Sequence, residues 1–381
     1  MRYRTLGRTW LEVSEIGFGA EWIDKMDEIE VCALAKTAAD AGVNIVDCWM
    51  SNPEVRDLLG KAIAPNRDHW IVQGLVGSTW QDGQYVRTRD MDKVIPAFED
   101  LLARLQTDHV ELGMIHYVDD PAEFAAIMQG EFFAYMQQLL AEGKIEHIGL
   151  STHNPDVALA AVEDGRIEMI MFSVNPAFDL MPATPDLSVL FGEYDDDNLA
   201  GMDPARAKVY AACEAANIGI TVMKGFAGGR LLDADKSPFG VALTPVQCLH
   251  YCLTRPAVCS VMVGYESIDH LEAALAYEDA HLAQKDYASV LAGAPKHSYY
   301  GQCTYCGHCA PCEVGINIAL VNKFADLAAM QPTVPESIRE HYRALETTAG
   351  SCIGCSACES RCPFGVPIAE KMEETTALFG F

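Results

Sequence analysis

Basic residues are scarce in this sequence: 27 Lys and Arg face 54 Asp and Glu, a formal net charge of −27. Without basic patches to neutralise phosphates, neither nucleic acid nor an anionic membrane is an expected partner. No apolar run approaches the roughly eighteen residues of a membrane-crossing helix. The opening stretch "MRYRTLGRTW" lacks the apolar segment of a secretory signal. A cytoplasmic protein is therefore expected, with acidity serving solubility. A Gly-rich G-x-G-x-x-G turn is missing after the early strand candidates, which disfavours an open dinucleotide-binding sheet. No internal repeat is visible beyond a strand–helix alternation.

That alternation is the main positive signal in the first three quarters of the chain. Short apolar, β-prone runs recur as "SEIGFGA", "NIVD", "WIVQGL", "VELGMIH", "HIGLS", "MIMFSVN", "GITVMK" and "SVMVG". Several are apolar almost throughout, as strands buried on both faces must be. Amphipathic segments such as "EVCALAKTAADAG", "MDKVIPAFEDLLARL" and "FAYMQQLLAEGK" separate them. Eight such units within about 280 residues predict a closed (β/α)8 TIM barrel. "RYRTL" and "LEVS" are expected to pair as a hairpin closing its floor. The long stretch "LMPATPDLSVLFGEYDDDNLAGMDP" after the sixth strand is expected on the active-site side. Its acidic run from Glu193 to Asp197 reads as a solvated loop.

Cysteine is abundant, with fourteen residues unevenly spread. Cys32, Cys48, Cys213, Cys248, Cys252 and Cys259 are scattered and read as reduced core thiols. The other eight lie in "CTYCGHCAPC" (Cys303, Cys306, Cys309, Cys312) and "CIGCSACESRCP" (Cys352, Cys355, Cys358, Cys362). Three thiolates at C-x2-C-x2-C spacing can reach three corners of one 4Fe–4S cube, and a fourth cysteine before proline reaches the other cube. Two 4Fe–4S clusters with crossed ligands are expected: Cys303, Cys306 and Cys309 with Cys362, and Cys352, Cys355 and Cys358 with Cys312. Zinc is the rival, but four cysteines in ten residues exceed one tetrahedral site. The composition changes near residue 290. Residues 1–290 are expected to form the barrel and 291–381 a mainly helical, ferredoxin-like two-cluster domain. The clusters read as an electron wire; the alternative is that they staple a small domain with too little core.

Catalytic groups of such a barrel sit at the C-terminal strand ends. Those positions are Asp47, Leu75, His116, Ser151 with His153, Asn175 and Lys224. Here the chain resembles the aldo/keto reductases, in the branch that carries a C-terminal 4Fe–4S dicluster domain. The resemblance rests on "YRTLGRTWLEVSEIGFG", "GVNIVD", "ELGMIHYVDD", "GKIEHIGLSTH", "VMKGFAGGRL" and both cysteine clusters, and spans nearly the whole chain. It implies an Asp, Tyr, Lys and His that reduce a carbonyl with NADPH, the Tyr acting as acid. Asp47 and His116 match the Asp and the His. Asn52 stands where the Tyr is expected, and Leu75 where the Lys is.

Nucleotide contacts implied by the resemblance are also changed. Tyr265 and Glu266 replace phosphate-holding basic residues, Ala274 an adenine-binding Asn, and Met171 a carboxamide-binding Gln. Ser151, Lys224 and the Gly228–Gly229 turn remain as cofactor-binding candidates. The departures argue against ordinary NADPH use. His116, His153, Lys224 and Tyr117 are candidate replacement proton donors, and Trp22 and Trp49 could stack on a flat substrate. The expected function is an oxidoreductase acting on a small-molecule substrate at the barrel mouth, with catalytic Asp47, His116 and His153. The clusters would exchange electrons with a redox partner protein, a ferredoxin or a flavoprotein. Two alternatives stay open: a non-redox lyase or isomerase using Asp47 and His116, and a non-catalytic electron-transfer or redox-sensing protein.

Overall fold

The computed structural model describes residues 1–181, 183–184, 202–294, 299, 301–330 and 333–381. The acidic run from Glu193 to Asp197 and part of the stretch around residue 296 lie outside the described residues. Eight parallel strands close a barrel in chain order. They are β1 (Ile16–Gly19), β2 (Ile45–Cys48), β3 (Ile71–Val76), β4 (Val110–Ile115), β5 (Ile145–Thr152), β6 (Met169–Ser173), β7 (Gly219–Met223) and β8 (Val258–Gly264), and β8 pairs back onto β1. Every residue of β1, β2 and β6 is buried, which is why their sequences run apolar without alternation.

The helices around the barrel begin with one repeated device. Asn52–Pro53, Asp120–Pro121, Asn154–Pro155, Asp203–Pro204 and Thr244–Pro245 each place a side-chain cap before a proline in the first turn. The cap oxygen accepts a backbone N–H that the first turn leaves without a partner, and proline contributes no such N–H. Each cap is worth about 1 kcal/mol. More importantly, it fixes where the strand-end loop stops.

Two hairpins frame the barrel. Tyr3–Thr5 pairs antiparallel with Glu12–Ser14 beneath it, and the fully buried Leu6 and Val13 plug the lumen against Ile45, Leu112, Met114 and Met169. Gly7 in this floor has φ +51°, and a Cβ there would lie 2.3 Å from the Gly219 nitrogen, so the plug needs glycine. The second hairpin, Ser78–Gln81 with Gln84–Arg87, follows β3 and lies over the mouth. It was not expected from the strand count. Its turn is Asp82–Gly83, with both residues at positive φ.

After residue 301 the chain forms three helices of at most twelve residues: Ile318–Ala329, Glu336–Arg343 and Ile368–Phe379. Buried Tyr342 stacks on Phe379 with centroids 3.9 Å apart. This unit docks on the barrel flank. The Tyr299 hydroxyl donates to the Pro176 carbonyl (2.6 Å), and Arg255 Nη2 donates to the Thr304 carbonyl (2.5 Å). Among the described residues no helix is long and apolar enough to cross a membrane.

Candidate active site

A cavity of about 270 Å³ opens at the C-terminal end of the barrel, lined by Asp47, His116, Ser151, His153 and Lys224 among others. Parallel pairing sets Asp47 level with Gly19 and Gln73, so Gln73 Nε2 reaches Asp47 Oδ1 at 3.1 Å. Burial pushes the Asp47 carboxyl up to about 7, opposed by the Gln73 hydrogen bond and the more distant Lys224. Asp47 can therefore hold or release a proton near neutrality. Lys224 stands 3.7 Å from Glu21, and both face the same cavity.

His116 has a partner that the strand-end reading missed. The Tyr85 hydroxyl, carried in by the second hairpin, lies 2.6 Å from His116 Nε2. Trp49 stacks on the imidazole at 6.3 Å and meets the Tyr85 ring edge-on at 5.4 Å. Burial, followed by the guanidinium groups of Arg89 and Arg87, drives the His116 pKa well below its usual value. Burial raises Tyr85 to about 12. The pair is consequently neutral at pH 7, with His116 Nδ1 lacking a protein partner. The signal in the sequence was "TWQDGQYV", a D-G turn between alternating residues.

His153 also has a counterpart absent from the sequence reading. Asp119 Oδ2 lies 2.9 Å from His153 Nδ1, while Oδ1 accepts the His153 amide at 2.7 Å and the Thr152 hydroxyl at 3.0 Å. Burial would raise the Asp119 carboxyl, but its hydrogen bonds with His153 outweigh that and hold it low. A carboxylate on Nδ1 fixes the imidazole orientation and leaves Nε2 as the free nitrogen. Tyr117 packs edge-on against this ring at 5.2 Å. Tyr117 and Lys224 both have positive φ, 46° and 61°, backbone strain concentrated at the mouth.

Other candidates take different places. Ser151 accepts the Tyr117 amide at 3.0 Å and so shapes the strand-end turn. Asn175 donates to the Lys224 carbonyl and accepts from Ala177 and Phe178, a loop-holding role. Asn52 caps its helix by accepting from Glu54, and Leu75 and Met171 form apolar wall. Gly228 and Gly229 line an adjoining cleft of about 290 Å³ that shares Glu21, Lys224, Met262 and Gly264 with the mouth. The amides of Ala227, Gly229, Leu231 and Leu232 donate within that turn itself. Glu266 lines the cleft and pairs with Lys25 at 2.5 Å, while Trp22 forms part of its wall under Lys25. Tyr265 and Ala274 face the core instead, with the Tyr265 hydroxyl donating to the Gly17 carbonyl.

The clustered cysteines line two further cavities. Cys303, Cys306, Cys309 and Cys362 line one; Cys312, Cys352, Cys355 and Cys358 line the other. Among the described residues no three His, Cys, Asp or Glu side chains converge on a point suited to one metal ion. Four sulfurs that line a shared cavity without converging on one point fit a cube-shaped iron–sulfur cluster better than a lone tetrahedral ion.

Comparison with known proteins bears on both halves. The model of the aldo/keto reductase family matches residues 15–242, more than half of the chain. The chain belongs to the aldo/keto reductase family. A 4Fe-4S dicluster domain model matches residues 302–367 of this reductase. It is 24% identical over 314 residues to "Uncharacterized oxidoreductase YqkF" of Bacillus subtilis, covering 79% of this chain and 98% of that one. It is also 24% identical over 300 residues to L-galactose dehydrogenase of Arabidopsis thaliana, covering 71% and 85%. Aldo-keto reductase AKR11C1 from Bacillus halodurans in its holo form shares the fold, with a TM-score of 0.58 at 21% identity over 75% of this chain and 94% of that one. The chain is thus an oxidoreductase of this family with an iron–sulfur domain attached.

Proposed function

We propose that this reductase transfers electrons to or from a small organic molecule in the barrel mouth, and that its eight clustered cysteines hold two 4Fe–4S clusters. The observation that carries the first part is convergence: Asp47, the Tyr85–His116 pair and the Asp119–His153 pair all face or support one cavity of about 270 Å³. Trp49, Leu75, Met171 and Met223 give it apolar walls, suited to a compact, partly apolar substrate. The two four-cysteine cavities support the second part, with Cys362 and Cys312 each lining the cavity of the other motif's cysteines. The division between the two units falls near residue 290.

When bound, the clusters supply one-electron chemistry. Protons are the barrel's task. His153, oriented by Asp119, offers Nε2 as acid or base. The neutral Tyr85–His116 pair donates a hydrogen bond to a substrate oxygen, and Asp47 exchanges a proton close to pH 7. Reducing a carbonyl to an alcohol consumes two electrons and two protons, and the mouth holds enough donors for both protons. The nicotinamide-independent form of this reading is supported by Asn52 and Leu75 in place of a phenol and an amine. The acidic Glu21 and Glu266, which line the adjoining cleft, point the same way. At the other end, exposed Cys355 and Ile353 give a ferredoxin or flavoprotein partner an edge on which to dock.

Anaerobically prepared protein should contain iron and sulfide, and should turn over small carbonyl compounds when reduced chemically without nucleotide. Fluorescence titration should show no micromolar NADH or NADPH binding; such binding would overturn the nicotinamide-independent form. Retention of all turnover in both His116→Ala and His153→Ala would remove the mouth from the reading.

A further inference from the structure

Three charged side chains are sealed where the barrel meets the cysteine-rich unit: Asp179, Arg206 and Arg255, each at most 1% exposed. Asp179 is well provided for. It accepts from the Tyr210 hydroxyl (2.6 Å) and the Tyr251 hydroxyl (2.7 Å), with Arg206 Nη1 at 3.8 Å. Arg255 is not matched in this way. Among the described residues no carboxylate lies within ion-pair distance of it. Its donors go to neutral oxygens, those of Tyr251, Thr254, Tyr287 and Thr304, and Nη1 has no hydrogen-bond partner among the described residues. Its guanidinium lies over the rings of Tyr251 (4.5 Å) and Tyr305 (5.1 Å).

Among these described residues, two sealed guanidinium groups share one sealed carboxylate, Asp179, which acts on both. An uncompensated buried charge costs several kcal/mol, so a fold that keeps one should have a counter-charge close by. The direction of Arg255 names it. Its shortest hydrogen bond, 2.5 Å, goes to the carbonyl of Thr304, the residue after Cys303, and Thr304 lines the cavity of Cys303, Cys306, Cys309 and Cys362. A 4Fe–4S cube with four thiolates is a net anion and becomes more negative on reduction.

We propose that Arg255 is the internal counter-charge of the cluster bound by Cys303, Cys306, Cys309 and Cys362, and that it raises that cluster's reduction potential. This rests on the reading that the cavity holds a cluster. Burial alone would disfavour the added electron in this inner nest, and the guanidinium offsets that. The outer nest is supplied differently, by a cation nearer solvent whose Nε is likewise without a hydrogen-bond partner among the described residues. Cys355 is exposed, Ile353 is 64% exposed, and its lining cation is the partly buried Arg361, which bridges to the Cys309 and Pro311 carbonyls and is shared between the nests. Solvent and salt screen an exposed site far more than a buried one. One electron shared between the two sites, with no proton or bond change, thus resides more on the inner one than it would without Arg255.

Potentiometric titration followed by electron paramagnetic resonance tests this, the signals being assigned through Cys306→Ser and Cys355→Ser. Arg255→Gln should lower the inner midpoint enough to cut the reduced-to-oxidised ratio at fixed potential at least tenfold, ~59 mV for a one-electron couple. The outer midpoint should stay put. Arg255→Lys should restore most of the shift, and Tyr287→Phe, which loses a hydroxyl to the same Thr304 carbonyl but no charge, should leave the midpoint unchanged. An unmoved inner midpoint in Arg255→Gln, or an equal shift in Tyr287→Phe, overturns the inference. Should Arg255→Gln not fold, the unaltered protein decides: raising the salt concentration should raise the outer midpoint and barely move the inner one, and equal movement refutes the proposal. Protein without iron or a cluster signal would instead overturn the reading beneath it.

Discussion

The barrel and the cysteine-rich unit hold their functional groups by opposite means. In the barrel, a closed sheet and a continuous core position Asp47, His116 and His153 through packing and hydrogen bonds made entirely by protein. Past residue 301, short helices are joined by loops in which Tyr305, Gly307, Gly315, Ser356, Gly354 and Gly365 all take positive φ, and the cysteines surround cavities rather than one another. The first arrangement is self-sufficient. The second sets its cysteines around shared cavities, as its match to a 4Fe-4S dicluster domain leads one to expect.

Stripping iron should break this contrast open most visibly. Chelation under anaerobic conditions should speed proteolysis within 302–381 by about two orders of magnitude, because binding energy in small metal domains is folding energy. Cleavage within the barrel should hardly change. Equal resistance of both parts, monitored by mass spectrometry of the fragments, would show that the cysteine-rich unit stands on its own packing.

A smaller but sharper effect is expected within the barrel. His153→Ala should lower kcat by about 10² to 10⁴, the usual range for a lost acid–base group, with iron content unchanged. Asp119→Asn should lower it less and also displace the pH profile, since Asn cannot stabilise a charged imidazole. A flat response to both would reduce the pair to a packing contact.

The mildest prediction concerns stability and pH. The native Asp47 carboxyl titrates at about 7 against 3.8 for the free group, so the native state holds a proton that the unfolded chain has released. Stability is then fully present below about pH 4 and is lost progressively as pH rises through 7. Asp47→Asn should remove this loss. Its advantage over the unaltered protein should be near zero at pH 4 and reach a few kcal/mol by pH 8, measured from denaturation midpoints. An advantage that is constant with pH would mean that the carboxyl is ionised throughout.

Legibility followed the range of the interactions involved. The eight strands could be read because burial on both faces writes itself into consecutive residues, and the floor hairpin because Leu6 and Val13 sit beside short β-prone runs. The second hairpin carries a turn signal in "WQDGQY" but falls outside the strand–helix period, because its strands pair only with each other and not with the barrel. Asp119 stands in "YVDD" with no local sign of a role. Its bond to His153 spans 34 residues and depends on how two adjacent strand-end loops fold together. Gln73 was hidden in the run "WIVQGL" until the register of β2 and β3 set it beside Asp47.

The sequence by itself determined the parallel barrel, the placing of Asp47 and His116 at strand ends, and the metal chemistry of the cysteine motifs. Each of these depends on a local period or spacing. Only the tertiary structure decided which groups those residues work with: Tyr85 for His116, Asp119 for His153, Gln73 for Asp47, and Arg255 beside the inner nest. Contacts between distant segments are set by strand register and loop packing, and neither leaves a mark on neighbouring letters of the chain.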